Sequence, residues 1–167
     1  MKLKDGHYID ENNAEVWVQD GKYHREDGPA VIWYNQEFWY KNGLQHREGG
    51  PAIIEEDGDE YWFRNGVHHR EDGPAIIWGD GEKRWYQNGK LHREDGPAII
   101  ASNGDKYWYQ NDKYHRLDGP AVEAITSSGD IFHQFFIDGN IYRNEVQWRI
   151  EVQKWKRNDK QKGDDNE

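Results

Sequence analysis

His69-Arg70-Glu71-Asp72-Gly73-Pro74-Ala75 is one of three identical heptads; the others begin at His24 and His92. Variants begin at His46, with Glu48-Gly49-Gly50, and at His115, with Leu117-Asp118. The steps are 22, 23, 23 and 23 residues, and all five prolines of the chain, Pro29, Pro51, Pro74, Pro97 and Pro120, fall at this one place. Self-similarity at a fixed short period is the signature of a repeat architecture, in which each unit buries its apolar face against its neighbours.

Working outward from that heptad, Pro74-Ala75-Ile76-Ile77-Trp78 reads as a short strand opened by proline. Gly79-Asp80-Gly81 is a turn cluster, and Glu82 to Gln87 is the return strand. Asn88-Gly89 then makes a two-residue hairpin turn, because a type I′ turn needs positive φ at both central residues. The turn recurs as Asp20-Gly21, Asn42-Gly43, Asn65-Gly66 and Asp138-Gly139, with Asn111-Asp112 as a weaker copy. Glu-Asp-Gly bends the chain into the next proline, and glycine there would supply φ values closed to other residues. The fold expected is all-β: a single elongated antiparallel meander of about five 23-residue hairpin units.

A second ladder runs out of phase with the heptads: Trp17, Trp39, Trp62, Trp85 and Trp108, with Phe136 in the sixth place. Only 34% of the chain is hydrophobic, yet it has nine Trp, ten Tyr and five Phe. A disordered chain would be poor in aromatics. The Trp ladder is therefore expected as core, each ring packed between aromatics of adjacent units. A stack for planar ligands would need a basic groove, and none is visible before Arg143. Arg25, Arg47, Arg70, Arg93 and Arg116 are expected to flatten onto those rings and pair with acids of adjacent units.

Residues 1–20 read as an N-terminal half-repeat cap and 21–140 as the repeat array. In 141–158, Asn144 suits a helix N-cap, and Trp148, Val152 and Trp155 follow at helical spacing. The rival reading is a strand, since Val146, Trp148, Ile150 and Val152 also alternate. A helix closing the sheet edge is favoured, with 159–167 as a disordered polar tail.

The repeated Gly-x-x-His opening, the turn glycine and the aromatic strand, as in Gly89 to Tyr109, resemble the MORN repeat family. More closely they are similar to the MORN-variant repeats of bacterial and bacteriophage proteins, some of them antitoxin components. Proline after the bend and arginine after histidine depart from the plain MORN pattern. The resemblance spans about residues 15–140 and implies an interaction surface rather than chemistry.

Composition narrows the function. With 22 Lys and Arg against 32 Asp and Glu, the charge is −10, which argues against nucleic acid and anionic membrane and suits a basic protein partner. There is no cysteine, so no disulfide or thiolate chemistry is available. The N-terminal stretch lacks an apolar signal core and no run approaches a membrane span, so a cytoplasmic location is expected. His-Arg-Glu-Asp contains general acids and bases, but an active site is one asymmetric constellation, whereas five copies on a ladder suit a structural role. No enzyme activity, cofactor or metal site is expected; histidines one unit apart stand too far from each other to share an ion.

Charge is uneven along the array. Residues 43–65 carry two arginines against six acids, a net of −4, while 21–42 and 89–111 each carry three of both signs. Glu55 stands where Trp33 and Trp78 stand in other units. Glu55, Glu56, Asp57, Asp59 and Glu60 are the expected contact for a basic partner, such as a nuclease, a toxin or a nucleic-acid-handling defence factor blocked by occlusion. The alternative is sequestration of a small nucleotide-like ligand between repeats. A second copy of the chain covering one sheet face would give a homodimer.

Overall fold

A computed structural model describes residues 3–164. Among the described residues there are twenty-two short strands, fourteen in one antiparallel meandering sheet and eight paired as four two-stranded ladders, followed by a single C-terminal helix. The chain divides into two compact units, Met1–Lys90 and Leu91–Glu167.

In the first unit the sheet path runs through Gly6–Ile9, Glu15–Gln19, Val31–Trp33, Gln36–Phe38, Ile53–Ile54, Glu60–Tyr61, Ile76–Ile77 and Lys83–Arg84. In the second it runs through Ile99–Ile100, Lys106–Tyr107, Val122–Ile125, Ile131–Ile137 and Asn140–Tyr142. Most strands are shorter than the sequence suggests, since the return strands break at Trp39, Trp62, Trp85 and Trp108, while Glu15–Gln19 runs through Trp17. Pairing nevertheless continues there: Trp39 N–H donates to Ala52 O at 2.8 Å and Trp62 N–H to Ala75 O at 2.7 Å. The hairpin turns are type I′ as expected, with φ of 53° and 80° at Asn65 and Gly66. The weaker copy holds the same shape, with Asn111 and Asp112 at 50° and 65°.

The ladder tryptophans are not the core. Ala30, Ala52, Ala75, Ala98 and Ala121, each following its proline, have no exposed surface, whereas the Trp ladder is half-buried. Four of the ladder tryptophans instead carry a guanidinium. Arg25 lies 4.0 Å from the Trp17 ring centre, Arg47 3.9 Å from Trp39, Arg70 3.7 Å from Trp62 and Arg116 3.9 Å from Trp108. The acid partner is in the same bend, not an adjacent unit: Arg70 Nε donates to Asp72 at 2.8 Å, two residues on, and its Nη1 donates to Pro74 O at 3.3 Å.

This clamp overturns the reason given for the bend glycine. Gly28, Gly50, Gly73, Gly96 and Gly119 are absent from the positive-φ residues. What they supply is room, because a Cβ would stand 2.6 to 2.9 Å from the nearest atom of the arginine side chain at each of them.

Phe136 also leaves the Trp ladder. Arg116 N–H bonds to Phe136 O as Arg93 N–H bonds to Tyr109 O, so Phe136 matches Tyr109 and it is Phe135 that matches Trp108. Successive strand residues face opposite ways. Phe136 therefore stacks on Tyr114 at 4.9 Å, on the Tyr and Phe face.

The helix reading holds over the strand reading. Helix α1 is Glu145–Asp164, starting later and ending later than expected. Asn144 caps it, its Oδ1 accepting from Gln147 N–H at 3.0 Å. Trp148 and Val152 bury against Ile137, with Leu117, Phe135 and Tyr142 around them. Of the expected polar tail, 159–164 are helical in backbone and 165–167 lie outside the described residues. No helix among the described residues is long and apolar enough to cross a membrane.

Candidate functional site

The four residues that look catalytic are tied into the sheet. Each heptad histidine turns Nδ1 toward the next hairpin, where Asn88 N–H donates to His69 at 3.0 Å and Asp138 N–H to His115 at 3.2 Å. In His24, His46, His69 and His92 the other ring nitrogen faces the bend glutamate, as in His24 Nε2 to Glu26 at 3.2 Å, whereas the His115 bend has Leu117 there. These bonds hold successive hairpins in register, so the imidazole links units.

Charge is distributed unequally across each clamp. The side chains of Arg25, Arg70, Arg93 and Arg116 are 19 to 25% exposed, while those of Asp27, Asp72, Asp95 and Asp118 are 80 to 85% exposed. The cation is drawn onto the tryptophan and the anion is left in water. The arginine hydrogen bond, then its charge, holds Asp27, Asp72 and Asp95 below the usual carboxylate range. Lys41 does the same for Glu26. With the exposed Glu48, Glu71 and Glu94, the bends present rows of exposed carboxylates.

Hollows lie between successive bends. One of about 490 Å³ in the second unit is bounded by Arg93 to Pro97 and His115 to Asp118, with Trp108 as one wall. A smaller one in the first unit joins Arg25, Glu26 and Trp39 to His46, Arg47 and Glu48. At the last bend the chain's own helix is the far wall. Trp148 Nε1–H donates to Arg116 O at 3.2 Å and its ring lies 5.1 Å from Phe135, in the place an arginine takes over Trp108. Arg149 and Lys156 line that hollow opposite Asp118.

The five acids expected as the contact divide in two. Glu55, Glu56 and Asp57 are exposed in the turn after Ile53–Ile54. Asp59 is buried: Oδ1 accepts from Gly79 N–H at 2.7 Å and Oδ2 from the Tyr61 hydroxyl at 3.1 Å. Glu60 is half-buried and accepts from Trp62 Nε1–H at 3.3 Å. Those two are engaged within the fold, whereas the other three face solvent. Glu55, Asp57 and Asp59 do bring oxygens within 4.8 Å of one another, a trio the histidine-based reading of metal ligands did not consider. Asp59 has both oxygens engaged, and Asp57 Oδ1 accepts from Asp59 N–H.

The bend carboxylates were the feature missed in sequence reasoning. They lie inside the motif assigned to structure, and what separates Asp72 from Arg70 is burial. No family model matches the chain, and no curated protein matches it.

Proposed function

We propose that this protein is a non-enzymatic interaction module that holds a basic segment of a protein partner along the carboxylate rows of its bends. The observation carrying this reading is the asymmetry of the clamps, arginine on tryptophan and aspartate in water. Four arginines per se would suit an anion; tucked onto indoles they leave a surface that attracts cations. Such a surface steers a positively charged partner and fixes its orientation.

Helix α1 supports a more particular form. Over residues 145–158 it carries Arg149, Lys154, Lys156 and Arg157 against Glu145 and Glu151, and it rests on the last repeat through Trp148, with Trp155 edge-on to His115 at 5.5 Å. A partner segment of that character, basic and helical with a Trp or Phe, suits the hollow beside Trp108. Buried aromatic anchors ringed by polar contacts are the usual carriers of binding energy. Occlusion of a basic nucleic-acid-handling protein is the role this would serve, in keeping with the MORN-variant resemblance.

The test uses a peptide copying residues 145–158, titrated into the full chain by fluorescence anisotropy. Binding should weaken at least about tenfold for Trp148→Ala in the peptide, about the 1.4 kcal/mol of a modest anchor. It should also weaken between 50 and 300 mM salt, as screening shortens the reach of exposed charges. Binding indifferent to salt and to Glu94→Lys with Asp95→Lys in the protein would reject the proposal.

A further inference from the structure

On the opposite sheet face, the first unit contains a hollow of about 420 Å³ walled by Tyr23, Trp33, Phe38 and Tyr40, with Asp10 and Asn12 at its edge. We infer that this hollow is an aromatic cage for an alkylated ammonium group, such as a quaternary ammonium ion. The site is separate from the bend grooves, because Phe38 and Tyr40 flank Trp39 and so point away from it.

The same chain shows what such a constellation accepts. Backbone pairing sets the correspondence: Ala30 N–H bonds to Phe38 O as Ala75 N–H bonds to Arg84 O. Arg25 N–H bonds to Tyr40 O as Arg70 N–H bonds to Tyr86 O, and Gly43 N–H to Tyr23 O as Gly89 N–H to His68 O. Trp33 and Trp78 each stand four residues after the proline. The third copy thus surrounds the same place with His68, Trp78 and Tyr86. Its Arg84 guanidinium lies 4.7 Å from the Trp78 ring centre, paired with Glu82 at 2.6 Å. Where the third copy has its own cation, the first has a fourth aromatic ring, and the acid is supplied by Asp10 from the N-terminal hairpin.

The walls are held in place. Trp33 Nε1–H donates to Asn12 O at 3.2 Å, and Tyr23 and Tyr40 rings stand 5.5 Å apart. Tyr34, 74% exposed, packs edge-on against Trp33 at 4.8 Å while its backbone sits at φ 47°. Left-handed φ is costly for a bulky residue, and Asn or Gly would serve that turn without the cost. Burial raises the Tyr23 hydroxyl pKa, and the Asp10 charge adds to it, as a negative local field requires.

Among cations the lining selects those without N–H groups. Asp10 Oδ1 already accepts from Asn12 and Ala14 N–H, both at 2.9 Å, and the rest of the wall is mainly ring faces. A primary ammonium, with three donors, would find mainly the second Asp10 oxygen to accept from it there, whereas an alkylated one spreads its charge over methyl groups that rest on the rings.

The test follows the Trp33 indole N–H resonance of the full chain during titration with choline chloride and with its neutral tert-butyl isostere. Choline should move that resonance and bind at least about tenfold more tightly than the isostere, since only the charge differs. Phe38→Arg, which copies the third unit, should fill the cage and lower choline affinity at least about tenfold, as should Asp10→Asn. A trimethyl-lysine peptide run alongside tells a side-chain source from a free one. Either cation outbinding the isostere supports the cage. Equal binding of the isostere, or full affinity in folded Phe38→Arg, overturns it.

Discussion

Replacing Gly73 by alanine should change sign according to whether Arg70 is present. A Cβ at Gly73 would lie 2.9 Å from Arg70 Cζ and 3.0 Å from Nε, so the guanidinium must leave its position over Trp62. That position is worth about 1 kcal/mol as a partly desolvated cation–π contact. The bond to Pro74 O adds about 1 kcal/mol, so Arg70→Ala should cost about 2 kcal/mol in all. The exposed Asp72 pair adds nothing to this figure, and the bend at Arg47 shows why. Gly49 replaces the aspartate there, yet Arg47 keeps its stack at 3.9 Å and its bond to Pro51 O at 3.0 Å. In the parent protein Gly73→Ala should cost about 1 kcal/mol: most of the clamp is lost, partly offset by about 0.5 kcal/mol from a stiffer unfolded chain. In the Arg70→Ala background only that gain remains, so the same change should stabilise by about 0.5 kcal/mol. Urea unfolding followed by tryptophan fluorescence reads the four midpoints. Gly66→Ala is the control, since φ of 80° and Leu44 at 3.2 Å make it costly whatever stands at position 70. Effects of Arg70→Ala and Gly73→Ala that add within about 0.5 kcal/mol would refute the clamp.

Trp148→Ala should cost about 3 kcal/mol or more, as for other buried aromatics, and should release α1; loss of helical circular dichroism before the sheet unfolds would show it. Burial depresses the pKa of His115 and of His68. Each is neutral in the fold and titrates near 6.5 when unfolded, so its contribution is whole above about pH 6.5 and is lost as pH falls through the lower folded values. The melting temperature should therefore drop from roughly pH 7 to 5, less steeply in His115→Gln. Asp59→Ala should cost about 1 to 3 kcal/mol by orphaning Gly79 N–H, whereas Glu55, Glu56 and Asp57 changed together to Lys should stay within about 0.5 kcal/mol. Equal effects in chemical denaturation would contradict the division of that acid group.

Much of the fold was legible because the turns are local. Asn65-Gly66 specifies its own geometry, and proline marks each strand start, so period and hairpins follow without tertiary knowledge. What was hidden depends on three-dimensional packing. Gly73 is read from sequence as a hinge, and only the position of Arg70 shows it to be a gap for a side chain. Phe136 was assigned to the Trp ladder because the loop Ile125 to Asp130 obscures the count by one residue, and one residue reverses the face. Asp59 and Asp57 share a turn and a charge, and nothing local says that Asp59 reaches Gly79. For the bends, the motif revealed which residues pair but not which member of the pair meets water.

The most direct test of the acidic-bend reading is the set of tryptophan indole N–H resonances in the full chain, recorded as the 145–158 peptide is added. Trp108, beside the hollow between two bends, should shift and saturate, and Trp33, in the aromatic hollow of the first unit, should stay still. A silent Trp108, or movement at Trp33 alone, would contradict it.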